Sequence, residues 1–187
     1  MPLAHTTGGL TALVVKKYNG HKTLDHLKEG PMSTVKAIPS GHRTVTPYLA
    51  IKNAAKALEF YKKAFGATEI FKLMMPDGRL GHAEIRLGDS MIMLSDEFPE
   101  YGGKAPETLG GSPVSIHLYV EDVDAFFKRA LAAGAKERKP VMDQFYGDRS
   151  GQLEDPFGHL WWVATHKEDV APEELQKRVQ AMFAGKK

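Results

Sequence analysis

His82-Ala83-Glu84 sets an imidazole and a carboxylate two residues apart, and on a β-strand that spacing puts both on one face. Such a pair can do three things. With a third donor it can ligate a divalent metal. Its carboxylate can abstract a proton as a general base. Or the two side chains can form a hydrogen-bonded polar pair beside a cavity. His117 is the natural third donor, so His82, Glu84 and His117 form a candidate site for Zn, Fe, Mn or Ni if their strands meet. If they do not, His117 lines the cavity wall and Glu84 is left to act as the catalytic base alone. The chain has no Cys, which excludes thiolate zinc sites, cysteine nucleophiles and disulfides and is compatible with a reducing cytoplasm. No nucleophile with a neighbouring base is legible, and the Gly-rich segments do not sit between strand and helix as a phosphate-binding loop requires.

The elements that position these residues follow from pattern. Residues 44–51 read as a strand, with Pro47 marking an edge or a bulge. Asn53 is placed to cap a helix whose apolar face is Ala54, Ala57, Leu58, Tyr61 and Phe65, with Gly66 just past its end. Strands follow at 67–75, 82–87 and 91–94, separated by the turns Pro76-Asp77-Gly78 and Gly88-Asp89. After a segment rich in Gly and Pro, the order returns. A strand spans 114–120. Asp122 caps a helix bearing Val123, Phe126, Phe127, Ala130 and Leu131. Further strands span 135–141, 144–153 and 160–165. The last is entered through Glu154-Asp155-Pro156-Phe157-Gly158, a tight-turn signal. Strand alternation sends Trp161 and Trp162 to opposite faces. Trp161 belongs to the core, and Trp162 to the core or the cavity wall. Ile51-Lys52-Asn53 matches Val120-Glu121-Asp122 at an offset of 69 residues, and Gly88 matches Gly158 at an offset of 70. Whole units repeating at a near-constant offset indicate a duplication. The expected fold is α+β: two tandem βαβββ modules forming a curved mixed sheet around a cavity, with a C-terminal helix.

The expected organisation is an N-terminal extension over 1–40, a domain over 41–170 and a helix over 171–187. Within the domain, module one is 44–95, a linker or mobile loop, one candidate to overhang the cavity, is 96–112, and module two is 113–166. Residues 1–31 differ in character from the rest and read as a tag, a mis-called start before Met32, or an arm. The final helix carries Leu175, Val179, Met182 and Phe183 on one face, suited to a sheet or a second subunit. Net charge is +2 with both signs interspersed, so no basic face suggests nucleic acid, and no apolar run is long enough to span a membrane.

Paired modules of this kind, with Thr44-Val45-Thr46-Pro47-Tyr48-Leu49, Phe60-Tyr61-Lys62-Lys63-Ala64-Phe65-Gly66-Ala67, His82-Ala83-Glu84-Ile85-Arg86 and Glu154-Asp155-Pro156-Phe157-Gly158-His159, resemble the vicinal oxygen chelate superfamily. That group includes glyoxalase I, bleomycin-resistance proteins, fosfomycin-resistance enzymes and extradiol dioxygenases, and the chain looks most like its PhnB-like branch. The resemblance covers roughly residues 40–170. It implies metal-ligand positions at Thr46 and Ser115 on the first strands and at Ile92 and Trp162 on the last strands, four past each turn glycine. None is His, Asp or Glu, so the resemblance implies no metal at the superfamily positions.

What remains is a cavity suited to a flat ligand. Tyr48 and His117 share the inward parity of Thr46 and Ser115, and Trp162 occupies a former ligand position. Phe145 and Tyr146 precede Gly147-Asp148-Arg149 at the rim. Arg149 pairs with an anionic group on the ligand or, if the aromatics are core, with Asp148 or Glu154. The expectation is a metal-independent, cytoplasmic, homodimeric protein that binds an aromatic or antibiotic-like small molecule through Thr46, Tyr48, His82, Ser115, His117, Phe145, Arg149 and Trp162. The alternative is a lyase, isomerase or dioxygenase using a divalent metal at His82, Glu84 and His117, or Glu84 as base. A third reading is a structural or regulatory module whose cavity is filled by its own side chains.

Overall fold

The computed structural model describes residues 35–184, and the reading of residues 1–31 as an extension lies outside them. Two units of identical order follow one another. The first is β1 (Tyr48–Ile51), α1 (Ala54–Phe65), β2 (Thr68–Met74), β3 (Leu80–Leu87) and β4 (Ser90–Asp96). A 3-10 turn (Pro99–Tyr101) and a short helix α2 (Pro106–Leu109) connect it to β5 (Ser115–Tyr119), α3 (Val123–Ala132), β6 (Lys136–Asp143), β7 (Asp148–Glu154) and β8 (Leu160–His166). Helix α4 (Pro172–Ala184) closes the described chain. The strands form two four-stranded mixed sheets, ordered β1-β4-β3-β2 and β5-β8-β7-β6, with β1–β4 and β5–β8 parallel and the other neighbours antiparallel.

Each sheet buries one face beneath its helix. Along β3, Ala83, Ile85 and Leu87 are buried while His82, Glu84 and Arg86 are not, the period-2 alternation of a half-buried strand. Helix α1 buries Ala54, Ala57, Leu58, Tyr61, Ala64 and Phe65, the stripe its apolar spacing predicts. Asn53, expected to cap it, instead sits in the left-handed region (φ 62°) and makes no side-chain cap. The cap comes from the other end of the module: Asp96 Oδ1 accepts the Ala54 N–H at 2.8 Å and Oδ2 accepts the Leu80 N–H at 2.5 Å. Asp122 does cap α3, accepting the Ala125 N–H at 3.0 Å.

The two helices meet over one aromatic core. Phe65 lies against Phe126 (centroids 5.1 Å apart) and edge-on to Trp161 (4.8 Å). At its centre sits Asp155, 1% exposed. Its Oδ2 accepts from the Tyr61 hydroxyl (2.7 Å) and Trp161 Nε1–H (2.9 Å). Its Oδ1 accepts the N–H groups of Phe157 (2.9 Å) and His159 (3.0 Å). The Asp-Pro turn is thus a buried knot binding α1 of the first unit to the turn of the second. Burial, and then the Asp155 carboxylate beside it, push the Tyr61 hydroxyl well above its ordinary range.

The register corrects one sequence expectation. Tyr48 pairs with Met93 and His117 with Trp162, so Met93, not Ile92, is the counterpart of Trp162. Ile92 belongs to the core. The misplacement arose because Gly88 lies in a two-residue hairpin closed by Leu87 and Ser90, whereas Gly158 lies in a longer turn closed by Glu154 and Leu160. The two glycines are not equivalent. Strand β1 also starts later than expected, at Tyr48, so Thr46 stands ahead of it and its hydroxyl donates to the Arg43 carbonyl (3.3 Å).

The connection between units is held rather than loose: Glu97 Oε2 accepts the Ala105 N–H (3.0 Å) and the Thr108 hydroxyl (2.7 Å). Helix α4 buries no residue fully and is fastened by Arg178, which donates to Glu168 (2.7 Å) and to the Phe145 carbonyl (3.2 Å). Among the described residues no helix is long and apolar enough to cross a membrane.

Candidate functional site

The faces turned away from the helices hold the candidate residues. On the first sheet, strand spacing brings His82 and Glu84 together as expected, with His82 Nε2 3.4 Å from Glu84 Oε1. Tyr48, 52% exposed, places its hydroxyl 3.2 Å from His82 Nδ1. Phe71, which pairs with Glu84 across β2–β3, stands 6.0 Å ring to ring from His82. The sequence reading missed one member. His42 Nε2 lies 3.5 Å from the same Glu84 oxygen, and both His42 ring nitrogens are buried without a hydrogen bond. No local pattern could have announced it, because His42 lies outside any strand or helix and its neighbour is 42 positions away in sequence.

On the second sheet, β5 exposes Ser115, His117 and Tyr119 and turns Ile116 and Leu118 inward. Trp162 sits between His117 on β5 and Gln152 on β7, on the face opposite the fully buried Trp161. Gln152 Nε2 donates to Ser115 Oγ (3.4 Å), and Lys139 Nζ lies 4.9 Å from the Trp162 ring centroid, a cation–π distance. Beside this face, a cleft of about 660 Å³ is lined by Gln152, Glu154 and Leu160 from the sheet and by Pro106, Glu107 and Ser112 from the connection. The connection therefore forms one wall of this cleft. Farther along, the Tyr119 hydroxyl donates to Asp148 (3.0 Å), and His166 bridges Asp148 (2.7 Å) and Asp169 (3.0 Å). Hydrogen bonds to Asp148 and then Asp169 raise the His166 imidazole above its ordinary value, and the Asp148 bond raises the Tyr119 hydroxyl.

Several expected members are placed elsewhere. Arg149 points to the helix side: its guanidinium donates twice to Asp124 of α3 (2.7 and 2.8 Å) and once to Asp143 (3.3 Å). It is paired with neither Asp148 nor Glu154. Phe145 and Tyr146 form the β6–β7 connection, packed edge to face at 5.2 Å, with the Phe145 carbonyl engaged by α4. His117 stands on the second sheet and His82 and Glu84 on the first, and the alternative metal set of these three is not among the groups of the described residues that could hold an ion. Among the described residues no group of three or more His, Asp or Glu side chains is arranged to hold a metal. The positions paired across the parallel strands, Tyr48 with Met93 and His117 with Trp162, offer one imidazole, a phenol and a soft thioether. That donor set does not fit a hard divalent ion.

Known proteins share this architecture. A family model described as Glyoxalase/Bleomycin resistance protein/Dioxygenase superfamily matches residues 40–163. An uncharacterised protein of Mycobacterium tuberculosis is 40% identical over 163 residues, covering 86% of this chain and 94% of the relative. The crystal structure of TioX from Micromonospora sp. ML1 matches with a TM-score of 0.52 at 26% identity, over 65% of this chain and 97% of that one. A PhnB protein from Bacillus cereus, titled a putative 3-demethylubiquinone-9 3-methyltransferase, matches with a TM-score of 0.52 at 19% identity, over 66% of this chain and 99% of its own. At that identity the likeness is one of fold.

Proposed function

The chain belongs to the glyoxalase/bleomycin resistance protein/dioxygenase superfamily, and on that footing we propose that it is a PhnB-like small-molecule binding protein that takes a planar aromatic or antibiotic-like ligand without a metal. The observation that carries this reading is Trp162. Its indole occupies the middle of an open sheet face, between His117 and Gln152, and Gln152 in turn lines a cleft of about 660 Å³. A flat ligand gains stacking and apolar burial there, and neither contribution needs an acid, a base or a metal. The test is a fluorescence and thermal-shift screen of planar aromatic compounds. A true ligand quenches wild type and raises its melting temperature. Trp162→Leu binds it about 10-fold more weakly, the loss of roughly one stacking contact plus its apolar area. The remaining Trp161 is buried and should report nothing. A ligand that stabilises wild type and Trp162→Leu equally overturns the assignment.

A second reading has its own observation. Glu84 is flanked by His82 and His42, and His82 is touched by the exposed Tyr48 hydroxyl. Such a chain of groups suits a general base of a lyase or isomerase. Glu84→Gln abolishing turnover of a glyoxalase- or dioxygenase-type substrate while the fold survives would favour it. We further infer a cytoplasmic homodimer. The whole of β2 is exposed at a sheet edge, including Phe71, Leu73 and Met74, and an apolar edge strand calls for a cover. Light scattering that returns a monomer mass at working concentrations would remove the dimer.

A further inference from the structure

A second recess lies between the edges of the two sheets. Strands β1 and β5 are each the outermost of their sheet, and a crevice of about 480 Å³ runs between them. Ala50 lines it from β1, Ile116 from β5 and Leu160 from β8. His159 also lines it and is 8% exposed. Its two ring nitrogens are used differently. One bonds to the Ala50 backbone, and the other, Nε2, is buried with no partner. The bonded nitrogen is therefore Nδ1, which donates to the Ala50 carbonyl. Burial holds the imidazole below its ordinary value, so the ring stays neutral with its one proton on Nδ1. That leaves Nε2 an acceptor, and a buried acceptor without a donor is costly to keep.

The other polar groups around the crevice narrow what that donor is. Asp96 accepts the amides of Ala54 and Leu80 and keeps further lone pairs, so as a carboxylate it too can only accept. The Ser95 and Ser112 hydroxyls spend their protons on the carbonyls of Asp96 and Val114. An anionic ligand would face the Asp96 charge and find no proton at Nε2. A cationic one would face Lys104, which stands exposed at the rim and balances Asp96. The walls supplied by Ala50, Ile116 and Leu160 are apolar, and burying a net charge against them is costly. What fits is an uncharged ring that carries a hydroxyl, in a recess of ordinary size for a small ligand. We propose that this crevice binds a small phenol, its ring between β1 and β5 and its hydroxyl donating to His159 Nε2. The site does not use Trp162 and stands independently of the function proposed above.

Phenol itself is the probe, titrated into the full ¹⁵N-labelled chain and followed by amide chemical shifts. The expected result is saturable shifts centred on Ala50, Ile116 and Leu160. Anisole keeps the ring and the oxygen but has no proton to donate. It should bind about 10-fold more weakly, the loss of one hydrogen bond to a buried acceptor. His159→Asn sets an amide N–H where Nδ1–H donates and has no counterpart of Nε2. A folded His159→Asn should bind phenol about 10-fold more weakly and anisole as wild type does, a difference that a merely structural histidine would not produce. The comparison of phenol with anisole on wild type holds even if that variant fails to fold. Benzoate and benzylamine, which carry a charge of either sign, should each bind more weakly than phenol. No saturable shift, shifts centred on Trp162 and His117, equal binding of anisole, tighter binding of benzoate or benzylamine, or unchanged phenol binding by a folded His159→Asn each overturn the proposal. The first of these is also the result if water alone satisfies Nε2.

Discussion

Asp155→Ala is the perturbation that best tests how the two units are joined. The carboxylate is buried and accepts four hydrogen bonds, two from side chains within the aromatic core and two from its own turn. Removing it strands the Tyr61 hydroxyl and the Trp161 indole N–H where water does not reach. At about 1–3 kcal/mol for each orphaned donor, the loss is roughly 2–6 kcal/mol. Against a total stability of about 5–15 kcal/mol, that is a large fraction, and at ~2–4 °C per kcal/mol it lowers Tm by about 5–20 °C. Urea unfolding followed by tryptophan emission measures it directly, since Trp161 is a partner in the knot. Tyr61→Phe alone should cost about 1.5–3 kcal/mol, the contribution of one hydrogen bond to a charged acceptor. The double variant should cost less than the two together, because the hydroxyl orphaned by the alanine is no longer there. An Asp155→Ala chain within about 0.5 kcal/mol of wild type, or a strictly additive cycle, would refute the idea that this carboxylate fastens α1 to the second unit.

Three further outcomes follow from the same geometry. Ile92→Ala should cost about 2–4 kcal/mol, whereas Met93→Ala, on the open face, should cost under about 1 kcal/mol; urea midpoints in the opposite order would contradict the register described for β4. Gly147 has φ +100°, and a Cβ there would stand 2.1 Å from the Glu168 carbonyl oxygen, so Gly147→Ala should destabilise by about 1–3 kcal/mol in thermal unfolding and loosen the 166–168 segment first. His166 is raised above its ordinary 6.5 by Asp148 and Asp169, so its stabilising effect is full below about pH 6.5 and is lost as pH climbs through the raised folded value. The stability difference between wild type and His166→Gln should therefore shrink with rising pH, and a difference that grew with pH would count against the bridge.

Local signals were enough for the fold. The 2-residue and 3.6-residue apolar periods fixed strands and helices in the right order, and the repeated order fixed the duplication. Gly66 and Asp122 end and begin their helices as their types demand. The opposition of Trp161 and Trp162 followed from alternation and Trp161 lies in the core as expected, but that Trp162 stands on the open face needed the packed structure. Errors fell where an interaction spans the chain. Asn53 looked like a cap because its type caps helices, yet the cap is Asp96, supplied from the end of β4. Gly88 looked equivalent to Gly158 because both are turn glycines, yet their turns differ in length and the register slips by one.

The candidate site divides in the same way. His82 beside Glu84, and Ser115 and His117 sharing an open face, were written in strand spacing. The arrival of His42 at Glu84, the engagement of Arg149 with Asp124 and the burial of an unpaired nitrogen on His159 were not. The sequence by itself determined which residues share a face, because backbone geometry alone sets that period. Which faces meet, which ions pair and which crevices remain open was decided only by tertiary structure, because those contacts join residues tens of positions apart whose approach depends on how the sheets and helices pack.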